Sequence, residues 1–247
     1  MTRQGFVVEF IGLPGVGKTT LALEVAKRLD RTLPVQSAYS RLGGRSWAAR
    51  RLRNSRDIGG LGLRRPRYVL RTARAIRASG QRSLYDGLKV ANNWLSVSAL
   101  TLRSARTPHV TLFDQGMFQA LWSVGYSAEG AGRLEQLTYL GTLLPKPDLL
   151  VLVSAELATV VRRLQARGGR ESRLDRVSHV EAAELHDAAT LLNTVIGIAR
   201  SGGVDLLEIG GDDDGALGTN ARAVADVIRT GARSVPGRTT AQGRPLG

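Results

Sequence analysis

The sequence predicts an α/β protein with a parallel sheet of about five strands and helices on both faces. Short aliphatic and β-branched runs alternate along the chain with longer segments whose apolar residues recur at helical spacing. A glycine-rich turn joins the first such run to the first helical segment. Hydrophobic residues make up 43% of the 247 residues, which is enough for the core of one domain of this class.

Each predicted strand is a short apolar run, as expected for strands buried on both faces of a sheet. The predicted strands lie, in order, at 6–11, 110–113, 149–153 and 204–209. Each predicted helix repeats apolar residues every three or four positions, as Leu21, Val25 and Leu29 do in the first. The helices are predicted at 18–29, 84–102, 134–144, 157–164, 180–200 and 220–230.

Two segments differ from this alternation. Residues 41–82 contain thirteen arginines and two glycine pairs, Gly43–Gly44 and Gly59–Gly60, with few large apolar residues in register. We predict a partly helical, mobile basic insertion outside the core. From Gly231 onward the chain is rich in glycine, proline, arginine and threonine, which predicts a disordered tail over 231–247 after a single domain over 1–230.

Charge and cysteine content limit the function classes. The net charge of +14, from 35 basic and 21 acidic residues, favours phosphorylated or polyanionic partners, although solvated arginines of an arginine-rich composition would give the same total. The absence of cysteine excludes disulfides, thiolate metal sites and cysteine nucleophiles. No apolar stretch approaches the length of a membrane-spanning helix and no secretory leader is evident, so a cytoplasmic protein without membrane contact is expected.

Residues 12–19, GLPGVGKT, match the G-x-x-x-x-G-K-[ST] phosphate-binding pattern at every fixed position. The glycines allow backbone N–H groups to surround a phosphate, and the helix that begins at Lys18 directs its positive end at the same group. Lys18 is suited to the β and γ phosphates of ATP, and the Thr19 hydroxyl to Mg²⁺. The predicted nucleotide-binding residues are Gly12, Gly15, Val16, Gly17, Lys18, Thr19 and Thr20.

Further segments resemble the thymidylate kinase branch of the nucleoside and nucleotide kinases. The similarity covers 5–30 and 108–176, and includes LFDQG at 112–116 and PDLLV at 147–151. The run from Arg163 onward resembles the arginine-bearing lid of that family, here at about 163–178. The resemblance implies an ATP-dependent phosphotransferase and allows a homodimer. It also implies that lid arginines close on the transferring phosphoryl group: Arg167 toward ATP, with Arg170 and Arg173 in catalytic roles.

Asp114 is predicted at the carboxyl end of a strand, where ligands of parallel sheets bind. Two roles are open: it holds Mg²⁺, or it accepts a proton from a substrate hydroxyl. The thymidylate kinases that the chain resembles have an arginine after this aspartate, which holds the phosphate of the acceptor. This chain has Gln115, so we expect a small acceptor other than thymidylate. Two explanations are open: the arginines of 41–82 supply replacement cations, or the acceptor carries no phosphate.

Two alternatives to a kinase are retained. One is a P-loop ATPase or GTPase that binds nucleic acid or another polyanion through the arginines of 41–82, although these arginines have few aromatic neighbours for base stacking. The other is a regulatory protein with a degenerate kinase fold. The intact Gly17-Lys18-Thr19 sequence disfavours the second alternative.

Overall fold

The computed structural model describes residues 4–29, 32–37, 47–167, 182–213 and 215–234, with side chains left out of the description at 47–55, 167, 182 and 183. Five parallel strands form one sheet in the order β2-β3-β1-β4-β5. They are β1 (Phe6–Ile11), β2 (Val35–Ser37), β3 (Val110–Phe113), β4 (Leu149–Ser154) and β5 (Leu206–Gly210). The α/β class with a parallel five-stranded sheet is therefore confirmed.

The described residues form nine helices. They are α1 (Lys18–Leu29), α2 (Trp47–Arg64), α3 (Pro66–Ala78), α4 (Leu84–Ser104), α5 (Met117–Tyr126), α6 (Arg133–Leu143), α7 (Leu157–Arg167), α8 (Ala182–Ser201) and α9 (Leu217–Arg233). The sequence did not predict β2, because its residues VQS include a single apolar side chain and pair only with β3, at the edge of the sheet. Strand β1 is central and pairs with both β3 and β4.

The side chains of β1 alternate between the two faces of the sheet. Phe6 lies against α9, where a Cβ on Gly231 would collide with its ring. Val7 packs with Leu100 of α4, and Glu9 lies against the start of α5. Helix α9, which packs on α1, therefore covers one face, and α4 and α5 cover the other.

The prediction that residues 41–82 lie outside the core is wrong for the part that the structure describes. Helix α3 buries Thr72, Ala75 and Ile76, and the latter two belong to the main hydrophobic core. Trp94 Nε1 of α4 donates to the Tyr68 hydroxyl of α3 at 2.9 Å, which joins the two helices. The small apolar residues of this segment do recur at helical spacing, but the many arginines between them obscured that pattern.

The predicted disordered tail also begins too early. Helix α9 continues to Arg233, and Ala232 is fully buried. The apolar spacing that started the helix therefore extends three residues past the predicted boundary, while residues 235–247 lie outside the described part. In the ranges that the structure describes, none of the helices has both the length and the apolar character needed to cross a membrane.

Candidate functional site

The glycine-rich loop between β1 and α1 has the backbone that the motif requires. Gly15 and Gly17 have φ angles of +88° and +95°, in the left-handed region that favours glycine. Gly12 approaches Val153 of β4 so closely that a Cβ would meet its carbonyl oxygen. The loop therefore lies directly on the carboxyl end of the sheet, and substitution at any of these glycines would change its backbone.

Lys18 begins α1 and folds back over the loop. Its Nζ donates to the carbonyl oxygens of Gly12 and Leu13, each at 2.8 Å. These two bonds hold the ammonium group above the loop, at the helix end whose unpaired N–H groups attract anions. The positive charge is thus already positioned where a phosphate chain would bind.

Thr19 and Asp114 meet across the sheet. The Thr19 Oγ1 donates to Asp114 Oδ2 at 3.1 Å, although 95 residues separate them. Asp114 follows β3 and is 7% exposed. Burial raises the pKa of its carboxyl group, while the hydrogen bond from Thr19 and the charge of Lys18 act in the opposite direction. A hydroxyl and a carboxyl oxygen are ligands that Mg²⁺ prefers, so this pair fits the predicted metal site.

The structure describes no cluster of three or more histidine or acidic side chains able to hold a metal ion. A Mg²⁺ that accompanies a nucleotide takes one or two protein ligands, with phosphates and water supplying the rest. The Thr19–Asp114 pair suits that arrangement. A dedicated metal site made only of protein ligands is not found among the described residues.

Glu9 lies beside the residues that follow Asp114 and was not predicted from the sequence. It lies in the middle of β1, directly opposite Phe113 of β3, and is 2% exposed. Its Oε1 accepts a hydrogen bond from the backbone N–H of Gln119 at 2.8 Å, in the first turn of α5. Burial raises the pKa of Glu9 to about 7, and the N–H groups of residues 116–119 act against this rise. A charged residue inside an otherwise apolar strand was the available signal.

A cavity of about 460 Å³ adjoins the loop on the side away from Asp114. Gly15, Val16, Gly17 and Thr20 line it, together with residues of β4, α7, the turn after β5 and α9. Arg163 of α7 donates to the Gly211 carbonyl at 2.7 Å, and Asn220 of α9 donates to the Gly210 carbonyl at 2.8 Å. These bonds fix the turn after β5 as one wall of the cavity.

The predicted lid is only partly described. Arg167 ends α7, but its side chain lies outside the described residues, as do Arg170 and Arg173 entirely. Ala166 lines the cavity, so the end of α7 borders it. The position of Arg163 in the cavity wall was not predicted, although the residue was named as the start of the lid-like run.

No model of a known protein family matches the sequence, and no curated protein matches it. The fold is similar to a thymidylate kinase from Candida albicans, with 15% identity, a TM-score of 0.48 and coverage of 93% of both chains. It is also similar to a thymidylate kinase from Ehrlichia chaffeensis, with 14% identity and a TM-score of 0.48. That second alignment covers 91% of this chain and 98% of the other.

Proposed function

We propose that the chain is an ATP-dependent phosphotransferase that transfers the γ-phosphate to a small acceptor other than thymidylate. The supporting observation is the convergence of Lys18, Thr19 and Asp114 beside the glycine-rich loop. Phosphoryl transfer requires mainly positioning and charge neutralisation, and these three side chains provide both at one edge of the sheet.

The loop and α1 bind the triphosphate in this proposal. The backbone N–H groups of Gly15–Thr20 surround the β-phosphate, and Lys18 exchanges its two carbonyl partners for β- and γ-phosphate oxygens. Thr19 and Asp114 would hold Mg²⁺, which would supply positive charge to neutralise the phosphates. The base and ribose occupy the 460 Å³ cavity, against the wall formed by Arg163 and the turn after β5.

The acceptor binds on the other side of the loop, next to Asp114. There Asp114 would either help to hold Mg²⁺ or accept a proton from the acceptor hydroxyl group. Arg167, Arg170 and Arg173 close over the phosphates and exclude water, which otherwise would compete with the acceptor. The described part of α7 supports this role only through its position at the cavity.

The test is ATP turnover by the purified chain against nucleosides, nucleoside monophosphates, sugars and aminoglycoside-like alcohols. Acceptor-dependent ADP release should fall by at least about 100-fold in Lys18→Ala, because a preorganised charge at the phosphates is lost. Lys27→Ala is the matched control, since Lys27 is on the same helix with its side chain 75% exposed. ATP binding without turnover of any acceptor would favour a regulatory protein over a kinase.

A second candidate function is polyanion binding, and helix α3 supports it. Arg67, Arg71, Arg74 and Arg77 are exposed, and α3 carries no acidic residue. None of the ion pairs within the described residues involves these four side chains. At a rise of about 1.5 Å per residue they extend over about 15 Å of helix.

Nucleic acid is the probe for this second candidate. Binding to duplex DNA should weaken steeply with salt. Each Arg→Gln change on α3 should reduce the slope of the logarithm of the binding constant against the logarithm of the salt concentration by about one. Nucleic-acid-stimulated ATP turnover, without stimulation by any small acceptor, would replace the kinase proposal. If the Arg→Gln changes on α3 leave the turnover of a small acceptor unaltered, the kinase proposal stands.

A further inference from the structure

The first turn of α5 lies where an acceptor would bind, at the carboxyl end of β3 and immediately after Asp114 and Gln115. A helix end of this kind is suited to bind an anionic group of a ligand, because its first N–H groups have no partner within the helix. A phosphorylated acceptor would therefore be expected to place its phosphate at residues 116–119.

In this protein a side chain of the protein itself already occupies that helix end. Gly116, the residue before α5, provides no side-chain cap. Instead Glu9 extends from β1, and Gln119 N donates to its Oε1 at 2.8 Å. The N–H groups of Gly116, Met117 and Phe118 also interact with the same carboxyl group.

Packing around Glu9 keeps its carboxyl group in this position. A Cβ on Gly116 would lie 2.5 Å from Glu9 Oε2, so the glycine is what allows the close approach. Glu9 is 2% exposed and is paired in register with Phe113, within the central part of the sheet. A phosphate could reach these N–H groups only by displacing a buried side chain.

We infer that the acceptor beside Asp114 is an uncharged alcohol and not a phosphomonoester, because Glu9 closes the anion-binding end of α5. This inference rests on the proposed phosphotransferase function and specifies its substrate class. The neutral Gln115, which is exposed, follows Asp114 at the same edge of the sheet, so the residue next to Asp114 supplies no cation for a phosphate.

The reaction is then alcohol phosphorylation. The acceptor hydroxyl oxygen forms a bond to the γ-phosphorus of ATP, and the bond from that phosphorus to the β–γ bridging oxygen breaks. ADP leaves with the electron pair of the broken bond, and the hydroxyl proton passes to Asp114 or to water. The products are ADP and a phosphomonoester.

Backbone amide NMR of the full chain tests whether α5 is closed to anions. The loop is first filled with Mg²⁺ and a non-hydrolysable ATP analogue, and inorganic phosphate is then added as the probe. The amides of residues 116–119 should not shift in the unaltered protein, and should shift in Glu9→Ala, whose helix end is free. A phosphate-dependent shift of these amides in the unaltered protein would overturn the inference.

Matched acceptor pairs provide the second measurement, such as a nucleoside with its 5′-monophosphate and a sugar with its phosphate. The alcohol of a pair should have a kcat/KM at least about tenfold higher than its phosphorylated partner. Gln115→Arg should shift this ratio toward the phosphorylated partner, because a guanidinium group binds phosphate. Equal or better use of the phosphorylated partner by the unaltered protein contradicts the inference and leaves the phosphotransferase proposal standing. Failure to bind the ATP analogue contradicts that proposal instead.

Discussion

Thr19 Oγ1 donates a hydrogen bond to Asp114 Oδ2 at 3.1 Å and thereby joins the first turn of α1 to the end of β3. The hydroxyl group belongs to the phosphate-binding motif, and the carboxyl group belongs to a strand 95 residues away. If both oxygens bind the metal of a Mg²⁺–ATP complex, their separation already matches that of neighbouring ligands. The contact is thus the structural basis for treating the loop and the strand end as one site.

Thr19→Val should lower the affinity for Mg²⁺–ATP, because the isosteric side chain lacks the hydroxyl oxygen. A loss of at least about tenfold is expected. Calorimetric titration with Mg²⁺–ATP measures this affinity, and a second titration with ATP and excess chelator measures the affinity for ATP without the metal. Thr19→Ser retains the oxygen and is the matched control. Equal affinities for all three proteins would show that Thr19 does not contact the metal.

Gly17→Ala should destabilise the fold through backbone conformation alone. The φ angle of Gly17 is +95°, but an added Cβ would meet no atom within 4 Å. The expected cost is about 1–2 kcal/mol of unfolding free energy, with weaker ATP binding as the loop relaxes.

The control for this change is Gly59→Ala. Gly59 lies in α2, has no left-handed φ, and also has open space around an added Cβ. Alanine there should raise the unfolding free energy by about 0.4–1 kcal/mol. Urea unfolding of both variants gives the comparison, and effects of the same sign would contradict the conformational argument.

Stability should depend on pH through Glu9. Burial raises its pKa from 4.5 in the unfolded chain to about 7 in the folded protein. Between these values the folded protein retains a proton that the unfolded chain has released. The free energy of unfolding should therefore fall as pH rises from about 4.5 to about 7. Below about pH 4.5 the contribution of Glu9 to the free energy of unfolding no longer changes with pH.

Glu9→Gln isolates this contribution, because the amide does not titrate. The pKa of Asp114 is also raised and contributes with the same sign, but it does so in both proteins. The difference between the urea-unfolding profiles of the two proteins should thus fall with pH through the window. Parallel profiles would mean that Glu9 does not keep its proton on folding.

The core position of α3 can be tested by removing Ile76. This side chain is 2% exposed, so Ile76→Ala should cost about 2–5 kcal/mol of unfolding free energy. Leu63→Ala is the control, since Leu63 in α2 is 88% exposed and its loss should change stability by no more than about 0.5 kcal/mol. If both changes have similarly small effects on the free energy of unfolding, α3 lies outside the core, as the sequence predicted.

The sequence predicted four of the five strands and the helix that follows the glycine-rich loop, because their apolar patterns are strong. It failed for β2, which has one apolar residue, and for α3, whose buried Ala75 and Ile76 are small or isolated among arginines. It named Asp114 correctly as the end of a strand, but Glu9 was passed over as part of an apolar run.

The sequence by itself determined what depends on neighbouring residues: the glycine-rich loop, the helix that starts at Lys18, and the alternation of strands and helices. Backbone conformation and apolar periodicity are local, so they are visible in a short window of sequence. Only the tertiary structure decided that Thr19 meets Asp114, and that Glu9 meets Gln119 across 110 residues. Such contacts depend on which strands are neighbours and on which face each side chain lies, and sheet packing decides both.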